Sequence, residues 1–298
     1  MAGIDLNRSS AGVSALLPKE ISNEIWSNAV SDSLIMRTAR RISLPGSGVT
    51  IPLITGDATA NWVNETDEKP VSDVTLSSKS ITPYKLAVIE TFSNEFRRDL
   101  PGLYAELARR LPTALGRKFD ATIFNGTAPG SNFDVLSGST AVALDATDTI
   151  GDLATALTTV GAAGGDVSHW LIAPQAEGTI MTAKDGVGNY AFLRDARTDT
   201  GAIGSIFGRD VLKSTSVYNN PATGPDVVGF AGDFANSAIW GSVEGIKVSI
   251  SDQATVNKGG TQLNLWQRNM FAVLAEIEVG FVVRNGAHFV KLTGATSA

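Results

Sequence analysis

The chain has 298 residues, of which 43% are hydrophobic and 18% are charged, a balance found in folded globular proteins and not in disordered chains. Its formal net charge of −6 argues against a dedicated nucleic-acid-binding protein, which would usually carry a strong basic excess. The chain has no cysteine, which excludes disulfides, thiolate nucleophiles and cysteine-ligated metal sites. Because we find no signal peptide and no run of about 20 apolar residues, we expect a soluble protein made in a reducing cytoplasm, without a membrane partner.

The first predicted element is a short amphipathic helix near the amino terminus. Pro18 precedes it, and Ile21, Ile25 and Trp26 recur at helical spacing. Its apolar face is small for a helix that stands alone. A short strand, VTIPLI at residues 49–54, follows between two groups of turn residues.

The segment from residue 60 to residue 87 is hard to place in a compact domain. It is polar over most of its length, yet β-forming residues dominate it. From Val74 to Val88 one face is apolar at both ends and polar in the middle, and a single strand of this length would reach roughly 50 Å. Pro83 cannot donate to a strand ladder, so it indicates an edge strand or a break. We interpret the segment as part of a long two-stranded arm, which needs a partner surface to be stable.

The clearest helix of the sequence is predicted from a cap at Asp99 to Asn125. Apolar residues recur every three or four positions over 92–123, which indicates one buried face. Pro112 should kink this helix, and Gly126 should end it. The opposite face carries Arg109, Arg110, Arg117, Lys118 and Asp120. We interpret that face as solvated or, alternatively, as lying across a subunit boundary.

The second half of the chain alternates predicted helices and strands. A helix over 150–160 is capped by Asp148 or Thr149, HWLIA is a short buried strand, and Pro174 opens another helix. The segments DVVGFAGDF, SAIWGSV and IKVSIS are predicted strands. We therefore expect a mixed α/β unit over residues 146–243.

The last long element is predicted to be a strand with one buried face. Apolar residues occupy seven consecutive odd positions from Phe271 to Val283, which is the period of a half-buried strand. Glu276 and Glu278 then point to the other face.

The two histidines, His169 and His288, are the candidates for catalysis. Each is predicted to lie in a strand beside large apolar residues, without metal-ligand spacing and without a GxSxG motif nearby. We interpret both as structural histidines. The segment GAIGSIFG at residues 201–208 matches neither a dinucleotide loop nor a phosphate loop. Three loop aspartates, Asp185, Asp195 and Asp199, lack the calcium-loop pattern. No cofactor and no metal is expected.

The order of features along the chain is more informative than any single motif. An amino-terminal arm is followed by a long β-arm, a long kinked helix, an α/β unit and a terminal strand. The segments concerned are ANWVNETDEKPVSDVTLSSKSITPYKLA, SNEFRRDLPGLYAELARRLPTALGRKFDATIFNGT, WLIAPQAEGTIMTAKDGVGNYAF, GRDVLKST and GFAGDFANSAIWG. From about Leu17 onward the chain resembles the major capsid protein family of tailed bacteriophages, which has the Hong Kong 97-type fold.

The resemblance implies an α+β capsid fold with four regions. Residues 1–47 would be the amino-terminal arm, and 48–91 would be the extended loop, a long β-hairpin. Residues 92–145 and 244–298 would form the peripheral domain with its spine helix, and 146–243 the axial domain.

The resemblance also implies where the chain meets its neighbours. The extended loop would lie over a neighbouring subunit, with Trp62, Glu65, Asp67, Glu68, Lys69, Lys79 and Tyr84 as candidate contacts. The spine helix would present Arg109, Arg110, Arg117 and Lys118 on its surface. Some relatives join a loop lysine to an asparagine of a neighbour, but no asparagine partner matches Lys69 or Lys79, so this crosslink is not assigned.

The implied function is that of a major capsid protein that is not an enzyme. It would self-assemble through pentamers and hexamers into an icosahedral shell around double-stranded DNA, without sequence-specific binding, in the bacterial cytoplasm. A portal and a separate scaffolding protein are expected partners, since no long charged helical region precedes the arm. Three alternatives remain open: an encapsulin-type bacterial nanocompartment, another virion protein such as a tail component, and a hydrolase that uses His169 or His288 with a nearby aspartate.

Overall fold

A computed structural model describes residues 19–54, 60–65, 68–71, 76–95, 100–145, 148–184 and 204–294. The helices are α1 (Lys19–Asp32), α2 (Leu34–Thr38), α3 (Leu100–Asn125), α4 (Thr149–Ala162), α5 (Pro174–Met181) and α6 (Phe234–Ser237). The strands are β1 (Arg40–Ser43), β2 (Val49–Ile54), β3 (Leu76–Ile81), β4 (Tyr84–Ser93), β5 (Thr140–Ala143), β6 (His169–Ile172), β7 (Ser205–Ile206), β8 (Arg209–Lys213), β9 (Val227–Gly232), β10 (Ala238–Ser242), β11 (Lys247–Ser251), β12 (Thr255–Lys258), β13 (Thr261–Asn264), β14 (Met270–Val283) and β15 (Phe289–Thr293). Helices and sheets are mixed along the chain, as the sequence predicts.

The first sheet is organised around the long strand β14. One edge of β14 pairs antiparallel with β4 along that strand's whole length, while the other edge pairs first with β11 and then with β10, and β1 continues the sheet beyond β10. Phe271, Val273 and Ile277 are at most 1% exposed, whereas Glu276 and Glu278 lie on the partly exposed face. The predicted half-buried strand is therefore confirmed.

The second sheet has the strand order β5-β15-β9-β6-β8-β7. Its central strands β6 and β9 are buried almost throughout, which explains their nearly continuous apolar sequences. Helices α4 and α5 begin where the sequence predicts, with the Asp148 side chain accepting a hydrogen bond from the Gly151 amide. Sheet membership does not follow the expected division at residue 243, because β10 belongs to the first sheet and β15 to the second.

The long helix α3 begins at Leu100 and ends at Asn125, as the predicted cap and stop require, although its apolar spacing extends back to Phe92. Leu107, Leu111 and Ile123 are completely buried, as expected. Phe92, which continues the same spacing, instead lies in β4 and stacks on Phe271 at 5.6 Å, because pairing with β14 extends to Ser93. Asp99 lies outside the described residues, and the kink at Pro112 stays a prediction.

Gly126 ends α3 because its backbone lies close to the preceding turn. Its amide donates to the Thr122 carbonyl at 3.1 Å, and a Cβ atom at this position would lie 2.7 Å from the Thr122 Cα. The predicted stop is confirmed, although its physical reason is close approach and not a left-handed backbone.

The expected exposure of Asp120 on the polar face of α3 is wrong. Its side chain is completely buried beneath the junction of α1 and α2. It accepts hydrogen bonds from the Ser33 hydroxyl at 2.6 Å and from the Leu34 and Ile35 amides at 2.7 and 3.3 Å. Asp120 thus accepts hydrogen bonds from the first two amides of α2. The third amide, at Met36, donates to the Ser33 side chain. Burial raises the pKa of Asp120 to about 7, against the opposing effect of these three hydrogen bonds.

The described part of the expected amino-terminal arm is packed into the core. Helix α1 lies against α3, and the Trp26 ring lies 6.3 Å from the Trp240 ring. The Arg41 guanidinium lies over both rings at 5.7 and 5.4 Å. Ile35 is completely buried, so the small apolar face of α1 is supplemented by α2 and by these aromatic contacts.

The predicted long strand over 74–88 is broken at Thr82 and Pro83, which the sequence raised as one of two alternatives for the proline. Strand β3 before the break pairs with β2 from Ile81↔Val49 to Leu76↔Ile54, whereas β4 after it joins the first sheet. Ile81 is completely buried against Gly280 of β14. The β2–β3 hairpin therefore leaves the core at this corner.

Candidate functional site

The connection between β2 and β3 exposes an apolar and acidic segment. Every described residue from 60 to 71 is exposed, and Trp62 and Val71 are 105% and 90% exposed. Glu65, Glu68 and Lys69 are exposed with them, while Asp67 lies outside the described residues. Trp62 has no packing partner among the residues that the structure describes, so we call residues 60–65 and 68–71 the exposed loop and treat it as a candidate binding surface.

Lys79 anchors the base of the hairpin within its own chain. Its ammonium lies 2.5 Å from Asp134 and donates to the Val283 carbonyl at 2.8 Å. Asp134 also accepts a hydrogen bond from the Val283 amide at 2.7 Å. In this structure Lys79 therefore holds β3 against the end of β14.

Tyr84 is likewise occupied by its own chain. Its ring meets Phe133 edge-on at 6.0 Å, and its hydroxyl accepts a long hydrogen bond of 3.4 Å from the Asn132 amide. A side chain at Gly130 would overlap the Tyr84 ring, so the glycine is needed for this close approach. Tyr84 fixes the start of β4 beside α3.

The polar face of α3 carries exposed cations. Arg110, Arg117 and Lys118 are exposed, while the side chain of Arg109 lies outside the described part of the chain. Positions 110, 117 and 118 fall on one side of a helix, so they form a basic stripe, whereas the overall charge of the chain is negative. The expected surface is thus present, and its role as a contact stays a prediction.

A cavity of about 540 Å³ opens between the end of β4, α3 and β12. Its apolar lining includes Ile89, which is 54% exposed, together with Phe92 and Val256. Arg110 and Lys258 contribute cations to the lining, and Glu90 contributes an anion. Sequence analysis missed this site, because its residues come from three separate parts of the chain that only the fold brings together.

Both histidines make hydrogen bonds to neighbouring residues of the fold. His288 is the last residue of the 3₁₀ turn Gly286–His288, which directly precedes β15, so it does not lie within the strand as predicted. Its Nε2 donates to the Ala163 carbonyl at 3.1 Å, and its Nδ1 lies 2.6 Å from the Ser237 hydroxyl.

His169 lies at the start of β6, as predicted. Its Nδ1 is 2.9 Å from the Ser168 hydroxyl, and that oxygen also accepts from the Phe234 amide at the start of α6. Burial lowers the pKa of His169. The Ser168 oxygen caps a helix, which is a structural role.

Of the remaining candidate motifs, the structure describes only part of one. Residues 204–208 of the GAIGSIFG segment form β7 and the turn into β8, and the buried Trp170 indole donates to the Ile206 carbonyl at 3.1 Å. Asp185, Asp195 and Asp199 lie outside the described residues. Within the described ranges, no three histidine, cysteine, aspartate or glutamate side chains are grouped so that they could hold a metal ion. Of the helices that the structure describes, none has the length and apolar character that a membrane crossing requires.

Comparison with known proteins identifies relatives along almost the whole chain. Over 294 residues the chain is 32% identical to "Probable major capsid protein gp17" of Mycobacterium phage L5, covering 93% of this chain and 89% of the relative. It is 30% identical over 295 residues to the protein of the same name from Mycobacterium phage D29, covering 94% and 91%. A solved structure from Mycobacterium phage Bobi has the same fold, with a TM-score of 0.71, 22% identity, and 89% and 91% of the two chains covered.

The phage capsid family matches residues 13–294, a span that includes the exposed loop, the basic stripe of α3 and both large sheets. The resemblance drawn from the order of segments along the sequence is thereby confirmed. The chain belongs to the phage capsid family.

Proposed function

We propose that the chain is the major capsid protein of a tailed bacteriophage, and that it assembles through pentamers and hexamers into an icosahedral shell around double-stranded DNA. The observation that carries this proposal is the family match over residues 13–294, because it leaves almost none of the chain for another activity. The two phage relatives at 30% and 32% identity support it, since both are named as major capsid proteins.

The exposed loop supports assembly on physical grounds. Trp62 and Val71 expose apolar surface to water. Covering this surface with another protein surface would be favourable, because burial of apolar area lowers the free energy. In a shell the neighbouring copies supply that surface, and extended contacts of this kind bury areas typical of obligate interfaces. We assign the loop, including Glu65, Glu68 and Lys69, to contact with a neighbouring subunit.

We retain the proposed division of the chain, with one qualification. Residues 1–47 form the amino-terminal arm, 48–91 the extended loop, 92–145 with 244–298 the peripheral domain, and 146–243 the axial domain. The exchange of β10 and β15 between the two sheets means that the peripheral and axial regions share strands.

The partners follow from the shell function. We propose a separate scaffolding protein and a portal, assembly in the bacterial cytoplasm, and a final location in the virion. The net charge of −6 is compatible with enclosing DNA without binding it tightly, because tight binding would oppose its release.

The alternatives receive less support. An encapsulin-type nanocompartment would share the fold but would co-purify with a cargo enzyme. A hydrolase would need a free histidine, whereas both His288 nitrogens are engaged and the Ser168 oxygen beside His169 caps a helix.

Electron microscopy of the purified chain tests the proposed function. The protein would be expressed with and without a candidate scaffolding protein, separated by size-exclusion chromatography and examined by negative stain. We expect closed icosahedral particles. A chain that stays monomeric under every condition would contradict the proposal, tubes or open rings would favour a tail component, and particles filled with an enzyme would favour the nanocompartment.

A further inference from the structure

We propose that the free edge of strand β1 is the docking site for an acidic, extended segment of a second polypeptide, the scaffolding protein. This inference rests on the proposed shell function and names the surface that meets one of its partners. The edge combines outward-facing backbone groups with a group of exposed arginines.

Strand β1 lies at the edge of the first sheet. Within the described ranges its only partner strand is β10, to which it runs parallel. In a parallel pair every second residue directs both its amide and its carbonyl towards the partner. The Leu44 amide donates to the Ser242 carbonyl at 3.0 Å, so the even-numbered residues of β1 face β10. Arg41 and Ser43 therefore direct their amides and carbonyls outward, where a further strand could pair with them.

Three exposed arginines surround this edge. Arg37 lies in the last turn of α2, and Arg40 and Arg41 lie in β1. None of the ion pairs between described residues includes any of the three. The sequence from residue 33 to residue 56 contains no aspartate and no glutamate, although the chain as a whole is acidic. The positive charge is therefore a property of this surface and not of the whole chain.

The two arginines of β1 lie on opposite faces of the sheet. Arg41 pairs in register with Trp240 and lies over the rings of Trp240 and Trp26, at 5.4 and 5.7 Å, on the face that α1 covers. Arg40 pairs with Ile239, which packs on the other face, on the side of the β2–β3 hairpin. An added strand with carboxylates on both of its faces would therefore meet a cation on each side.

A protein strand uses this surface more fully than a nucleic acid would. An extended segment that adds to a sheet edge gains affinity from main-chain hydrogen bonds and specificity from its side chains. The outward backbone groups of Arg41 and Ser43 supply the main-chain partners, and the arginines select acidic side chains. Phosphate groups would pair with the arginines but would gain nothing from the outward carbonyls.

The small size of the edge favours a partner that leaves again. Strand β1 has four residues, so an added strand forms few hydrogen bonds with it. Exposed ion pairs contribute little free energy each and are weakened by salt. Permanent contacts between shell subunits bury much larger areas. A scaffolding protein acts only during assembly, and a short charged edge gives it a reversible contact.

Binding of a labelled peptide to the unassembled full chain tests the docking edge. The probe is a short peptide of valine and glutamate whose glutamates fall on both faces, and fluorescence anisotropy measures its affinity. One control peptide carries lysine in place of glutamate. A second keeps the glutamates but has methylated backbone amides, so it cannot pair as a strand. We expect only the unmodified acidic peptide to bind, with an affinity that falls as the salt concentration rises.

Two substitutions remove the two features of the edge separately. Arg40→Gln removes one cation and should weaken binding by about threefold. Ser43→Pro removes an outward amide at an edge position, where proline is tolerated, and should weaken binding by about fivefold. Arg268→Gln, in the exposed connection between β13 and β14, is the control for charge and should leave the affinity unchanged. Circular dichroism checks the fold of each variant, and if Ser43→Pro unfolds, the methylated peptide alone tests the backbone contribution.

Several results of the peptide experiment would overturn the docking edge. These are absence of binding, equal binding of the methylated or the lysine peptide, unchanged affinity of Arg40→Gln, and displacement of the peptide by short duplex DNA. Self-association of the chain that Ser43→Pro abolishes would assign the edge to a second copy and overturn the scaffolding protein as its partner.

Co-expression with the scaffolding protein separates this inference from the function on which it rests. The double variant of Arg40→Gln and Ser43→Pro should form fewer closed particles than wild type in electron micrographs. Normal particles from the double variant would overturn the docking edge and leave the shell function standing. A wild-type chain that forms no particles with its scaffolding protein would overturn the shell function and, with it, the proposed partner.

Discussion

The buried carboxyl group of Asp120 should make the stability of this chain depend on pH. Asp120 joins α3 to the start of α2, and burial raises its pKa from 3.8 to about 7. Between these two values the folded chain keeps a proton that the unfolded chain has released, so the free energy of unfolding falls as the pH rises. The stabilising contribution of the protonated group is complete below about pH 4 and is lost as the pH rises to about 7.

The size of the effect follows from the pKa difference. Each pKa unit corresponds to about 1.4 kcal/mol, so between about pH 5 and about pH 8 the loss is about 2.5 kcal/mol. Asp120→Asn keeps the shape of the side chain and one carbonyl acceptor for α2, but it cannot ionise. The free energy of unfolding of wild type, relative to that of the variant, should therefore fall by about 2.5 kcal/mol over this range.

Urea denaturation at a series of pH values measures this difference. Both proteins would be followed by circular dichroism at a concentration where chromatography shows only unassembled chains. His169, whose pKa is lowered by burial, contributes in the opposite sense, since stability rises as the pH increases and its unfolded form loses a proton. That contribution cancels because both proteins contain it. Parallel stability curves for the two proteins would refute the reasoning and show that the hydrogen bonds from Ser33, Leu34 and Ile35 keep Asp120 ionised throughout.

Three further changes test the hairpin and its base. Replacing residues 60–71 by a short Gly-Ser linker should leave the thermal midpoint nearly unchanged, since β2 and β3 can still pair up to Ile54↔Leu76. The same replacement should abolish particles in electron micrographs. Normal particles would contradict the role of the loop in assembly. In urea titrations, Lys79→Met should lower the free energy of unfolding by about 1 kcal/mol. Lys85→Met, at a more exposed ion pair, is the control and should change it by less than about 0.5 kcal/mol. Equal effects of the two substitutions would show that the Lys79 contacts do not anchor β3. Gly280→Ala should destabilise the chain by about 1–3 kcal/mol in calorimetry, because its Cβ would lie 2.7 Å from the Thr82 carbonyl. Gly286→Ala, with open space around it, is the control. A Gly280→Ala protein as stable as wild type would mean that the corner between β3 and β14 can shift.

Sequence patterns predicted the individual elements well where one physical signal dominated. The alternation from Phe271 to Val283 predicts β14 because only a strand places every second residue on one face. Likewise, Pro174 and Asp148 predict the starts of α5 and α4, since caps and prolines act within one turn. The order of these elements was also sufficient to identify the capsid family.

Local patterns failed where distant parts of the chain compete for the same residues. Phe92 fits the spacing of α3, yet pairing with β14 holds it in a strand, which no local propensity could show. By its spacing, Asp120 belongs to the polar face of α3. The start of α2 nevertheless packs over it, because the first amides of α2 need a hydrogen-bond acceptor.

By itself, the sequence determined the four longest helices, most strands and the family, because propensity, period and segment order are local properties of the chain. Only the tertiary structure decided that Lys79 is held by Asp134, and that Ile89, Arg110 and Lys258 line one cavity. These arrangements depend on contacts between residues far apart in the chain, and such contacts leave no periodic signal in the sequence.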